Sequence, residues 1–439
     1  MNSRGTETMR EQKTYRKSSS WPKVVARKWL KMNSAACHGF HQSDYYKTST
    51  SERENGRSGL DVNQLRTFVG TWNVGGKTPN NDLNLNDWLR TDHFDSPSDV
   101  YVLGFQEIVP LNAGNVLGPG DSGMARKWLS LVHAALNPDP DDDEARISSS
   151  DDLISSLGDN FSSLRSSSCS SEEEGFNSLG PSSSTSTSPI HEHLAQQHKY
   201  RLAASKQMVG IFLCVWVRQG LYGHISRTKI SCVGTGLMGC LGNKGSVSIS
   251  MTLDETTFCF VCTHLASGEK RGDAVRRNSD VAEILKRTRF SNSCKPEQIL
   301  DHDNIIWLGD LNYRLASICC NTYELLERQD WQALMEKDQL RVEQKADGGV
   351  FKGWEEGDIS FAPTYKYLTN SDKYYAATNS YQDKPRPRRT PAWCDRILWK
   401  GEGIKQMCYE RSETRFSDHR PVYSLFSVHL APHSNSDCQ

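Results

Sequence analysis

The chain has 439 residues with 52 basic and 53 acidic side chains, a formal charge of −1, so no bulk polycation drives it onto nucleic acid. Its hydrophobic content of 36% and mean hydropathy of −0.63 are low for one compact globule, which implies an ordinary domain diluted by polar segments. The longest apolar stretch, Met208 to Val217, is far short of the roughly 20 residues that cross a bilayer, and the N-terminus is polar rather than a signal sequence. With scattered cysteines and no disulfide framework, the expectation is a soluble protein of a reducing compartment. The cytoplasm fits, with the plasma membrane surface and the nucleus left open.

Residues 1–60 lack strand or long-helix patterning except at SWPKVVARKWLKM (20–32). There Trp21, Val25 and Trp29 share one face beside Lys23, Arg27, Lys28 and Lys31, the pattern of a short basic amphipathic helix. Two readings stay open: adsorption to an anionic membrane, or docking of the tryptophans on the following domain. A second polar piece, 138–198, is acidic and Ser-rich and is expected to be a disordered insertion. Ser170 and Ser171 ahead of Glu172–Glu174 suit an acid-directed kinase; a solvated loop without regulation is the plainer reading.

What is left is one catalytic domain over 61–432, interrupted by the insertion and followed by a tail at 433–439. Strand-like runs fall at 65–74, 99–108, 208–217, 246–253, 257–265, 304–311, 395–401 and 420–430. Helix-like stretches fall at 124–136, 274–289 and 322–340. Such alternation indicates an α/β or α+β domain with helices covering sheets. Cys259 and Cys262 form a C-x-x-C within a strand, where a separation of three places them on opposite faces and argues against a zinc site.

Polar groups gather where the apolar runs stop: Asn73, Glu107, His264, and Asp310 with Asn312. One carboxylate at a strand end is ordinary turn chemistry, whereas five polar groups at four ends suggest a shared rim. SDHRP adds Asp418, His419 and Arg420 ahead of the last strand. Lys244, Arg314, Lys366, Arg388, Arg389 and Arg396 form a basic set, which in a chain without net positive charge suggests a small, densely phosphorylated substrate. GLMGCLGNKGS departs from the Walker pattern because Gly245, not Ser or Thr, follows Lys244. Cys394 lacks the C-x5-R of a cysteine phosphatase and reads as structural.

In order, WNVGG, LGFQEIVPL, GNKG, THLASGE, RRNSD, WLGDLNYR, PTYKY, PAWCDRILW and SDHRPV resemble the inositol polyphosphate 5-phosphatases, from about Leu65 to Leu430. SWPKVVARKWL and the Ser-rich insertion resemble the plant type I group within that family. The resemblance implies an α+β, four-layered α/β/β/α sandwich of the DNase I-like kind. It also implies Mg2+-dependent attack of water on the 5-phosphate of an inositol phosphate or phosphoinositide. A monomer that takes no nucleic acid is expected, with nothing in the sequence fixing the oligomeric state. Carried over residue by residue, Glu107 is the principal Mg2+ ligand, with Asn73 and Asp418 beside it. Asp310 orients or deprotonates the water, Asn312 holds water and phosphate, and His419, paired with Asp395, donates to the phosphoryl oxygens alongside His264. Tyr365, Lys366 and Arg389 grip the neighbouring 4-phosphate, Arg396 positions the ring, and Lys244 and Arg314 complete the cationic set. The family's basic residue two places before Arg389 is Pro387 here, which puts the strength of that grip in question.

Two rivals remain: a nuclease of the same superfamily, opposed by PTYKY and PAWCDRIL and by the lack of a broad basic face, and an inactive phosphoinositide-binding scaffold.

Overall fold

A computed structural model describes residues 64–89, 97–117, 122–138, 199–236, 239, 241–290, 295–316, 322–375 and 389–431. The 20–32 segment, nearly all of the Ser-rich insertion, Pro387, Arg388 and the tail lie outside the described residues.

Along QLRTFVGTWN, alternate side chains meet two different apolar surroundings: Leu65 and Val69 on one face, Phe68 and Trp72 on the other, all buried. Central strands of this kind are covered on both faces and read as nearly continuous apolar runs. They build two sheets. The first has six strands, in spatial order β10 (Ile404–Arg411), β11 (Val422–His429), β1 (Gln64–Asn73), β2 (Val100–Gln106), β4 (Ile211–Arg218) and β3 (Tyr200–Met208). The second has five: β5 (Ile225–Gly234), β6 (Gly245–Leu253), β7 (Thr256–His264), β8 (Asn304–Asp310) and β9 (Asp395–Lys400).

The sheets pack face to face through Val69, Val102, Val215, Ile249, Phe260, Ile306 and their neighbours. Gly104 marks a close approach, since a Cβ there would lie 2.8 Å from Cys262 Sγ and Leu308 Cδ1. On the outer face of the first sheet, α1 (Asn86–Leu89) and α3 (Gly123–Leu136) bury Trp88, Trp128, Leu129 and Val132 against Trp72, Phe105 and Trp216. Short α2 (Ala113–Leu117) precedes α3. Outside the second sheet, α4 (Asp273–Arg287) and α7 (Gln339–Lys345) bury Val281, Ile284 and Leu340 against Val261 and Trp307. The four-layered sandwich is therefore present. Cys259 lies in this outer cluster and Cys262 in the inter-sheet layer, on opposite faces as the spacing requires.

The 322–340 stretch is three pieces rather than one helix: α5 (Thr322–Glu327), α6 (Trp331–Met335) and α7. The aspartates break it, because Asp330 accepts from Ala333 N (3.1 Å) and Asp338 from Arg341 N (3.0 Å), each starting a new helix. At the insertion, Asn137 and Tyr200, 63 positions apart, bond reciprocally: Tyr200 N donates to Asn137 Oδ1 (2.8 Å) and Asn137 Nδ2 to Tyr200 O (3.2 Å).

Two parallel pairings position the site. β1 runs parallel to β2 with Asn73 opposite Gln106, and β7 runs parallel to β8 with His264 opposite Asp310. Antiparallel β9 sets its first residue, Asp395, opposite Asp310. All these ends meet at one rim.

Candidate active site

Asp310, buried at the end of β8, is the hub. Its Oδ2 accepts Asn73 Nδ2 (2.9 Å) and lies 3.3 Å from His264 Nε2, and its Oδ1 accepts Asn312 N (3.0 Å). Burial alone would raise its pKa, but the His264 hydrogen bond and the charges of His419 and Lys244 outweigh it and hold the carboxyl well below the usual range. Lys244 Nζ contacts His264 Nε2, and burial pushes this ammonium down to about 8 against the pull of Asp310 and Glu107. Glu107, just past β2, lies 3.7 Å from His264 Nε2 and keeps 30% of its side chain exposed.

His419 comes from the loop ahead of β11, and its Nδ1 lies 2.8 Å from Asp395 Oδ2. Burial would depress the imidazole, yet Asp395, then Asp310 and Asp418, lift it to about 9, so it is protonated at neutral pH. One ligand atom each from Asp310, Asp395 and His419 falls within 4.8 Å of the others. With the imidazolium among them, this trio reads as a charge-paired acid rather than a cation site. Two residues that the motif reading passed over hold it: Thr364 Oγ1 donates to Asp395 Oδ2 (2.7 Å), and Ser417 Oγ to Asn73 O (2.7 Å). Their positions inside APTYKY and SDHRP were the only signal.

Glu107 and Asp418 keep 30% and 29% of their side chains exposed, which leaves carboxylate oxygens of the kind a hard divalent cation takes. Gly75, at φ +64, leaves room there, because a Cβ would come 3.0 Å from Asp418 Oδ1. Asn73 sits between the carboxylates: its Oδ1 accepts from Gly75 N (3.0 Å), which uses one of its two lone pairs, and its amide nitrogen faces Asp310 and Glu107 (2.9 and 3.4 Å).

The cationic set divides. Lys366 Nζ pairs with Asp418 Oδ2 at the site's edge, and Arg389 is exposed near enough for its charge to be felt at Lys366. Tyr365 packs its ring 4.5 Å from that of His419, with the Arg314 guanidinium 4.4 Å from the phenol ring, so it braces the imidazole. Arg314 is itself buried behind the rim, donating to Asn312 O (3.1 Å) and Asn312 Oδ1 (2.5 Å). Asn312 Nδ2 in turn donates to Leu265 O (3.2 Å), so its side chain is held by protein on both sides.

Arg396 is a correction. Its fully buried guanidinium pairs with Asp338 (2.9 Å) and, through Nε and Nη2, with both oxygens of Glu356 (2.6 Å each), which leaves it no route to a ligand. Cys394 is buried with its thiol pushed well above the usual range, in keeping with a structural role.

Comparison with known proteins agrees with this geometry. Residues 70–156 and 164–425 match the model of Endonuclease/Exonuclease/phosphatase family 2. Type I inositol polyphosphate 5-phosphatase 8 of Arabidopsis thaliana is 52% identical, over 95% of this chain and 88% of its own. Type I inositol polyphosphate 5-phosphatase 4 of the same plant is 44% identical, over 94% and 91%. The chain belongs to the inositol polyphosphate 5-phosphatases. Among solved structures, the 5-phosphatase domain of spsynaptojanin, in complex with inositol (1,4)-bisphosphate and calcium ion, has a TM-score of 0.60 at 28% identity, covering 84% of this chain and 85% of that one.

Proposed function

We propose that this 5-phosphatase removes the 5-phosphate from inositol 1,4,5-trisphosphate and phosphatidylinositol 4,5-bisphosphate with Mg2+, in phosphoinositide signalling. The observation that carries the reading is the buried, protonated His419 held by Asp395 within 4.8 Å of an ionised Asp310. Glu107 and Asp418 would hold the cation, whose chemistry is to neutralise charge on the phosphate and the leaving oxygen.

The chain's own groups do the rest. Asp310, with its basicity depressed, accepts a hydrogen bond from the attacking water and aligns it. His419 donates to the phosphoryl oxygens as charge grows there, and Lys244 adds a second cation beside His264. Asn73 keeps the Glu107 and Asp310 carboxylates apart, and Lys366 and Arg389 meet the neighbouring 4-phosphate. No enzyme nucleophile is used.

The test is phosphate release by the purified chain in Mg2+ from the soluble substrate and from the lipid in vesicles, with chelator and Asp310→Ala as controls. Release lost in both controls supports the reading. Silence from folded protein on both substrates would refute it. Action as a cytoplasmic monomer that meets the membrane through residues 20–32 is part of the same proposal, supported by the Trp and Lys pattern of that segment. Removing 1–60 should then slow turnover of the lipid and spare the soluble substrate.

A further inference from the structure

We propose that Arg420 is a positioning residue for substrate selection, fixing the ribbon Pro363–Tyr375, and with it Lys366, against the loop that carries Asp418 and His419. The ribbon is a small antiparallel hairpin, closed by Tyr375 N donating to Lys366 O (2.8 Å) and Leu368 N to Lys373 O (2.9 Å). Its root is laced to the catalytic loop by Arg420 N donating to Thr364 O and Tyr367 N to Asp418 O, both 2.9 Å. Those backbone bonds fix the chain on either side of Lys366 and leave the turn at 370–372 to side chains, of which Arg415 pairs with Asp372 from the exposed side.

The side chain of Arg420 spans root to tip. It is fully buried, with its guanidinium 4.0 Å from the Tyr367 ring centroid, and Nη2 donates to Ser371 O (2.8 Å) and Asp372 Oδ1 (3.0 Å). A flat guanidinium can stack on a ring and donate in its own plane at once, which an ammonium cannot do. The ring it rests on is fixed independently, because Tyr367 OH donates to Pro363 O (2.9 Å) and accepts from Arg411 Nη1 (2.5 Å). Since Arg420 is sealed from solvent it touches no substrate. It acts through Lys366, whose ammonium must sit correctly to read a phosphate next to the scissile one.

This inference rests on Lys366 reading the 4-phosphate. The test therefore uses the full chain with inositol 1,4,5-trisphosphate and with inositol 1,5-bisphosphate, which lacks that group. The variants are Lys366→Ala, Asp372→Ala, Arg420→Lys and the double Asp372→Ala/Lys366→Ala. Asp372 is half-exposed and also pairs with the exposed Arg415, so Asp372→Ala cuts both ion pairs at the turn and Arg420→Lys, which leaves the Arg415 pair, isolates the Arg420 one. Asp372→Ala and Arg420→Lys are expected to raise KM for the trisphosphate about three- to tenfold, with kcat and the bisphosphate nearly unchanged, and the double variant to match Lys366→Ala alone. Equal losses on both substrates, no change in KM, or additive effects in the double variant would overturn the tether while leaving Lys366 as the reader. If Lys366→Ala itself fails to discriminate the substrates, both the 4-phosphate reading and the tether fall.

Discussion

Asp395 Oδ2 and His419 Nδ1 lie 2.8 Å apart in a fully buried pair, although one residue opens β9 and the other precedes β11 in the opposite sheet. The acid group of the site is thus assembled across the sandwich and depends on how the two sheets are aligned. Thr364 completes it by donating to the same oxygen.

Replacing Asp395 with Asn keeps the shape and removes the charge that lifts His419 to about 9. A raised imidazole is active below its pKa and loses its proton as the pH climbs through it. In Asp395→Asn, kcat/KM should therefore fall by about 100-fold or more, and its alkaline limb should begin at lower pH than in the wild type. Steady-state rates from pH 6 to 10 check both parts.

Glu107→Gln leaves a neutral oxygen where a carboxylate faces the rim. The Mg2+ concentration for half-maximal phosphate release should rise at least about tenfold, while the thermal midpoint without metal stays close to wild type. A titration curve that superimposes on the wild type would remove Glu107 from the metal's donors.

Arg396→Met separates a structural cation from a substrate-reading one. Asp338 and Glu356 would be left buried without their partner, a loss of about 3–5 kcal/mol measurable by denaturant unfolding. KM of the protein that remains folded should not change.

Acid sensitivity should trace partly to His302. It is buried, with Nδ1 3.0 Å from Gln298 O and Ile299 O and Nε2 2.8 Å from Ser250 Oγ, which satisfies the neutral ring as donor at one nitrogen and acceptor at the other. Burial lowers its pKa below the ordinary 6.5, so between those values the unfolded chain binds more protons than the folded one. Stability is full above about pH 6.5 and declines below it. Compared with His302→Gln by thermal unfolding from pH 8 to 5, the wild type should show the steeper acid loss.

The sequence exposed the interior of this fold far better than its borders. Every run read as a strand lies at or within a few residues of a real one, and each is central apart from β9. The three strands that the runs missed, β3, β5 and β10, are all edges. Edge strands such as YRLAASKQM are half wet, mix Lys, Gln and Ser with apolar residues, and so lose the continuous signal that two-sided burial imposes. In the site, strand-end residues were legible because parallel pairing brings their ends to one rim. Arg396 misled because residue type shows which groups can bond, but only packing shows which neighbour takes the bond: Asp338 with Glu356 claims its guanidinium.

The reciprocal Asn137 and Tyr200 bonds give the domain a port. Chain leaves and re-enters at a closed neck, between the end of α3 and the start of β3, an edge strand of the first sheet. Because closure entropy grows slowly with loop length, about 0.6 kcal/mol per doubling, the number of residues between Asn137 and Tyr200 can change with little effect on the two elements that the neck ties together. Asp310 and His419 sit on β8 and ahead of β11, neither of which is joined to the neck in sequence, so their spacing is set without it.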